Sequence, residues 1–151
     1  MTNLEKKYLR IIEQLQSLFA QTNNPQSRMA SVCALLHHKI DHYFWTGYYL
    51  LDDNNDLLVS TYQGPIACLK LQKDKGVCWA SINRKKSMFV PDVELFPGHI
   101  ACNSLSKSEI VIPVYRNDEI VGVLDIDSNK KDAFKEYEIK YLEQINILIY
   151  S

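Results

Sequence analysis

The sequence predicts an α+β fold in which an antiparallel sheet carries packed helices. Two strand–turn–strand patterns, at 44–63 and 109–128, read as hairpins, so consecutive strands pair antiparallel. Two helical-period segments precede the first hairpin and one follows the second. No glycine-rich loop follows a strand, which excludes Rossmann and P-loop architectures.

In order along the chain, "LEKKYLRIIEQLQSLFA" at 4–20 places Leu4, Tyr8, Ile11, Ile12, Leu15, Leu18 and Phe19 at helical spacing. "TNNPQ" breaks that helix, and "SRMASVCALLHHKI" at 27–40 repeats the period with Ser27 as the expected N-cap. "FWTGYYLLD" at 44–52 turns to aromatic strand chemistry, "DNND" is a turn, and "LLVSTYQ" at 57–63 completes the first hairpin. The less regular middle, 64–107, is expected to hold a short helix after Gly76 and a short strand at "SMFVP". "EIVIPVY", the turn "RNDE" and "IVGVLDIDS" form the second hairpin, and "AFKEYEIKYLEQINILIY" reads as a closing amphipathic helix. No repeat, low-complexity tract or linker interrupts the 151 residues, so they are expected to form one domain, 1–151.

Composition narrows the function. A net charge of −1, with 46% apolar and 23% charged residues, gives no general electrostatic case for nucleic acid or a membrane surface. The densest basic stretch, Arg84-Lys85-Lys86, reads as a solvated helix end. The charged start "MTNLEKKYLR" has no apolar core of a secretory signal, and no apolar run reaches the ~20 residues of a membrane helix. A cytoplasmic protein is therefore expected, with its four cysteines reduced on average and any disulfide transient.

The cysteines and acids are where chemistry concentrates. Cys33 lies on the apolar stripe of the second helix and reads as core. Cys68, Cys78 and Cys102 fall in the mixed middle, at or near loops, where reactive groups on a rigid scaffold gather. Zinc ligation by Cys68, Cys78, His99 and Cys102 is an alternative, but only His99 and Cys102 have a paired-ligand separation. A papain-like Cys–His pair lacks partners beyond His99, and His37-His38 reads as a solvated or helix-end pair. "VLDIDS" sets Asp125 and Asp127 on one face of a strand, a residue type depleted there, and Glu109 opens the neighbouring strand. Such carboxylates could bind a cation or an ammonium, or stay protonated if desolvated. Trp45 and Tyr49 share a face of the first strand, as core or as a pocket wall.

Taken in order, "FWTGYYLL", "QGPIACLKL", "GVCWAS", "PGHIACNSLSKSEIVIPV" and "IVGVLDIDS" resemble the free methionine-(R)-sulfoxide reductases, which are catalytic GAF domains. The resemblance spans nearly the whole chain and departs at Trp79, where many members have Gly. It implies a GAF-like fold with a central antiparallel six-stranded sheet and helices on its faces. It further implies that Cys102 attacks the sulfoxide sulfur, releases methionine and becomes a sulfenic acid. Cys68 then condenses with it to a disulfide, Cys78 is an accessory thiol, and thioredoxin restores the reduced enzyme without a bound cofactor or metal. An unperturbed thiol is only about 3% thiolate at neutral pH, so Cys102 needs activation.

By the same resemblance Glu109, Asp125 and Asp127 supply the proton for the departing oxygen and the partner for the substrate's ammonium. Trp45 and Tyr49 line the S-methyl end, and amides around Ile100, Ala101 and Cys102 take the substrate carboxylate. A homodimer through the first helix fits the family. The competing reading is a GAF domain that binds a small molecule or senses redox state without turnover.

Overall fold

The computed structural model describes residues 1–99 and 102–151. Its element order is α1 (Asn3–Leu18), α2 (Pro25–Lys39), β1 (Trp45–Leu51), β2 (Leu57–Gln63), β3 (Lys70–Leu71), α3 (Gly76–Arg84), β4 (Met88–Val90), β5 (Ser108–Arg116), β6 (Glu119–Ser128) and α4 (Glu138–Ile147). The strands form one six-stranded antiparallel sheet in the order β3-β2-β1-β6-β5-β4. The two predicted hairpins lie side by side, joined through β1 and β6. Among the described residues no helix is long and apolar enough to cross a membrane.

Local chemistry accounts for most element ends. Thr2 and Glu5 close a capping box at the start of α1. The expected Ser27 cap is corrected to Asn24, whose side chain accepts from the Ser27 amide and which Pro25 follows as the first helical residue. The β5–β6 turn has Asn117 and Asp118 at φ 51° and 65°, the pair of left-handed conformations that a tight two-residue hairpin needs. The closing helix starts at Glu138, five residues later than its apolar period suggests. Glu138 is fully buried, and its carboxylate accepts from the Lys135 amide at 2.7 Å, the Tyr8 hydroxyl at 2.5 Å and His42 Nε2 at 3.2 Å. A tertiary polar cluster thus keeps 133–137 out of the helix, against the residues' own helical preference.

Period-2 alternation divides the sheet into two faces. On one, Tyr48, Ile110, Ile112, Leu124 and Ile126 pack against α1, α2 and α4 and form the larger core. Arg28 pins this layer by donating to the carbonyls of Thr22, Phe19 and Leu148. Cys33 belongs here: it is fully buried, its thiol donates to the Thr61 carbonyl at 3.6 Å, and burial pushes it up to about 12. Truncating a buried Leu or Ile in such a core costs about 2–5 kcal/mol. His37 departs from the solvated reading, since its Nδ1 lies 3.1 Å from Thr46 Oγ1 and burial lowers its pKa. The opposite face carries Trp45, Tyr49, Val111 and Val123, covered by α3 and the segments before and after it.

Candidate active site

Register brings the three acids together on this second face. Glu109 of β5 stands directly opposite Asp127 of β6, and Asp125 stands opposite Val111 on one side and Gly47 on the other. Helix α3 begins at Gly76, φ 80°, a backbone conformation that side chains disfavour, and its first turn lowers Cys78 onto the acids. The Cys78 thiol donates to Glu109 Oε2 at 3.9 Å, and ligand atoms of Cys78, Glu109 and Asp125 all lie within 4.8 Å of one another. Trp79, the departure from the family pattern, sits inside α3 at 4% exposure, with Lys73 over its ring. It therefore packs as core and leaves the helix intact.

Electrostatics follow from this crowding. Burial, then the charges of Asp125 and Asp127, hold the Glu109 carboxyl well above the usual range. Asp125 is raised by burial and held back by the neighbouring Glu109 carboxyl and Cys78 thiol. Asp127 is raised by the protein around it and by Asp125. All three acids are thus pushed toward their protonated forms, Glu109 and Asp127 most strongly, because carboxylates this close do not all ionise readily. Asp125 Oδ1 remains buried without a partner among the described residues. Burial followed by the three acids pushes the Cys78 thiol up, which disfavours its thiolate.

An aromatic wall closes one side. Trp45 is stacked between Tyr49, ring centroids 5.6 Å apart, and Tyr62, 5.2 Å apart, and its Nε1 donates to the Pro65 carbonyl at 3.0 Å. The indole folds across Gly47, where a Cβ would overlap both the Trp45 ring and Tyr62 Cβ. Glycine at 47 is therefore a requirement of the pocket wall. Neither Tyr62 nor Gly47 stood out as a site residue in the sequence, and a bulge between Gly47 and Tyr49 shifts the register that pairs them.

The mouth is formed by a disulfide between Cys68 and Cys102, with Cα atoms 5.5 Å apart, a normal span for such a bond. Both half-cystines line a cavity of about 190 Å³ together with Trp45, Tyr49, Cys78, Glu109, Asp125 and Asp127. The predicted residues among those described thus converge on one place; Ile100 and Ala101 lie outside the described residues. His99, Asn103, Lys70 and Lys75 also border the cavity, and burial lowers the His99 pKa. Two of the four ligands of the zinc alternative, Cys68 and Cys102, are bonded to each other. Among the described residues, the donors close enough together to hold a cation are Cys78, Glu109 and Asp125.

Comparison with known proteins agrees with this geometry. A family model described as a GAF domain matches residues 22–145. GAF domain-containing protein A of Dictyostelium discoideum is 47% identical over 141 residues, covering 93% of this chain and 89% of its own. Free methionine-R-sulfoxide reductase of Escherichia coli is 34% identical over 143 residues, covering 95% of this chain and 86% of its own. The X-ray structure of free methionine-R-sulfoxide reductase from Neisseria meningitidis in complex with its substrate superposes with a TM-score of 0.93 at 32% identity, over 99% of this chain and 90% of that one.

Proposed function

The chain belongs to the GAF-domain family of free methionine-R-sulfoxide reductases, and from that membership we propose that it reduces free L-methionine-(R)-sulfoxide to L-methionine at the Cys102 cavity. The observation that carries the reading is the Cys68–Cys102 disulfide at the mouth of a cavity floored by three acids and walled by Trp45 and Tyr49. A binding-only domain has no use for a redox pair at its ligand entrance.

In the reduced enzyme, Cys102 thiolate attacks the sulfoxide sulfur while Glu109, the acid kept protonated, donates to the oxygen. The hydroxyl then passes from the substrate sulfur to the Cys102 sulfur as the bond between substrate and oxygen breaks, releasing methionine and leaving Cys102 as a sulfenic acid, so thiolate and the one proton from Glu109 balance the step. Cys68 attacks that sulfur, water departs, and the disulfide forms, so two thiols supply the two electrons. Asp125, with its unpartnered Oδ1, and Asp127 receive the substrate's ammonium. Trp45 and Tyr49 take the S-methyl end. Cys78 is the reserve thiol: its raised pKa and its contact with Glu109 favour Cys68 as the first resolver. A thioredoxin-type dithiol reopens the disulfide, and the chemistry calls for no bound cofactor or metal. The same reading places one catalytic unit, 1–151, in the cytoplasm. It also admits a homodimer through the exposed side of α1, where Leu9 and Leu18 stand.

The ammonium assignment gives a direct test. Methionine formed from free (R)-sulfoxide should be abundant, and N-acetylation of the substrate should lower kcat/KM by roughly 10²-fold or more, since the acids lose their partner. Equal rates on both compounds, followed by chromatography of the products, would overturn that assignment. No turnover of either compound by folded, reduced protein would favour a binding or sensing role instead.

A further inference from the structure

Exposed apolar side chains flank the disulfide, Ile66 at the edge of the cavity and Leu69, Leu95 and Leu105 outside its lining. Ile66 and Leu69 flank Cys68 and are 84% and 78% exposed. Leu105, three residues after Cys102, is 56% exposed, and Leu95, in the short turn leading to the Cys102 segment, is 80% exposed. Three residues of chain span at most about 11 Å, so Ile66, Leu69 and Leu105 all lie within a short reach of the sulfur pair. Cys102 itself is exposed and Cys68 half-buried. Exposed apolar side chains concentrated in one place mark an interaction surface.

This surface is held in place. The Leu69 carbonyl accepts from the Val59 amide of β2 at 2.9 Å, and the Leu105 amide donates to Asn103 Oδ1 at 2.9 Å. A preformed patch loses little conformational entropy on docking. Lys70 and Lys75 border the cavity beside the patch, Lys70 within 4.0 Å of Asp56, and Lys73 lies over the Trp79 ring.

Resting on the reductase reading, we propose that Ile66, Leu69 and Leu105 form the docking face for a protein dithiol reductant of the thioredoxin type. The partner presents an apolar face around its reactive cysteine and acidic residues at the edge. The disulfide in the middle of the patch selects this occupant, because it is of use to a partner that brings a thiolate. That thiolate attacks one sulfur of Cys68–Cys102, forming a mixed disulfide and releasing the other cysteine as thiolate. The partner's second thiol then attacks the mixed bond. The partner leaves oxidised and both enzyme cysteines are reduced, a balanced two-electron exchange.

The test compares two reductants on the same variants: dithiothreitol, which needs no docking face, and thioredoxin recycled by its reductase and NADPH. Leu69→Ser plus Leu105→Ser should leave dithiothreitol-driven methionine formation within about twofold of wild type. The same double variant should raise the KM for thioredoxin roughly tenfold or more. Ile147→Ser, an exposed apolar position on α4 of the opposite face, should change neither. Raising ionic strength from about 0.05 to 0.3 M should raise the wild-type thioredoxin KM several-fold. Equal losses with both reductants would mean that the leucines support the catalytic loop, and an unchanged thioredoxin KM would mean that the patch is not used. Either result overturns the docking face, as would wild-type protein that accepts dithiothreitol and refuses thioredoxin. Absence of wild-type turnover with dithiothreitol would overturn the reductase reading, and the docking face with it.

Discussion

Cys102→Ser should abolish methionine formation, by roughly 10³-fold or more with any reductant, while leaving the fold intact. A serine hydroxyl cannot form the sulfenic acid, so no other group at the mouth accepts the oxygen. Cys102 is exposed and packs in neither core, which predicts an unchanged thermal midpoint for the reduced variant. Cys68→Ser should behave differently. The first turnover survives, because attack and methionine release precede the resolving step, and thioredoxin-driven recycling falls steeply. Rapid-quench measurement of methionine per enzyme separates the two. If thioredoxin-supported rates of Cys68→Ser match wild type, the resolving role passes to Cys78.

Glu109→Gln should lower kcat by about 10²–10³-fold with a smaller effect on KM, because it removes a proton donor from the transition state. Asp127→Asn should act mainly on KM, through the ammonium. Both changes carry a stability signature of opposite sign to the activity loss. The folded state raises Glu109 and Asp127 above their ordinary values, chiefly through burial, so between the unfolded and folded pKa values the native protein holds protons that the unfolded chain has lost. In the substrate-free wild type these two acids therefore contribute most in acid, and that contribution is lost as pH rises above about 4 toward the raised values. A neutral amide at 109 or 127 should flatten that slope and raise the neutral-pH melting temperature by a few degrees, at about 2–4 °C per kcal/mol for a chain of this size. Melting curves from pH 5 to 8 test it; an amide variant that melts lower than wild type at neutral pH would mean the acids are stabilised by partners, contrary to the crowding seen here. The same titration predicts that kcat falls at high pH as Glu109 loses its proton.

The elements that were legible in sequence are those whose cause is local. Alternation marked β1, β2, β5 and β6 to within a residue or two, and it placed Asp125 with Asp127 and Trp45 with Tyr49 on shared faces. The approach of Glu109 to Asp127 was not legible, because a bulge between Val114 and Tyr115 shifts the register that the two-residue turn at Asn117-Asp118 starts, and without that shift Glu109 would face Ile126. What the sequence concealed depends on distant contacts. The late start of α4 follows from Glu138 meeting Tyr8 and His42. The contact of Cys78 with Glu109, 31 positions apart, exists because α3 docks across β5 and β6, which no periodicity encodes. The Cys68–Cys102 pairing joins two loops 34 residues apart and entered through family resemblance alone. Trp45 lying over Gly47 needed the structure, because only there does the absent Cβ have a measurable consequence.

The central claim is that one sulfoxide is reduced at the expense of the Cys68 and Cys102 thiols. The measurement closest to it mixes fully reduced protein, freed of reductant under anaerobic conditions, with excess free methionine-(R)-sulfoxide. Methionine and remaining thiols are counted after a single cycle, and the new disulfide is mapped by mass spectrometry. The account predicts about one methionine and two thiols lost per chain, with Cys68 and Cys102 recovered as one disulfide-linked peptide pair. Methionine formed without thiol loss, or no methionine while the sulfoxide binds, would contradict it.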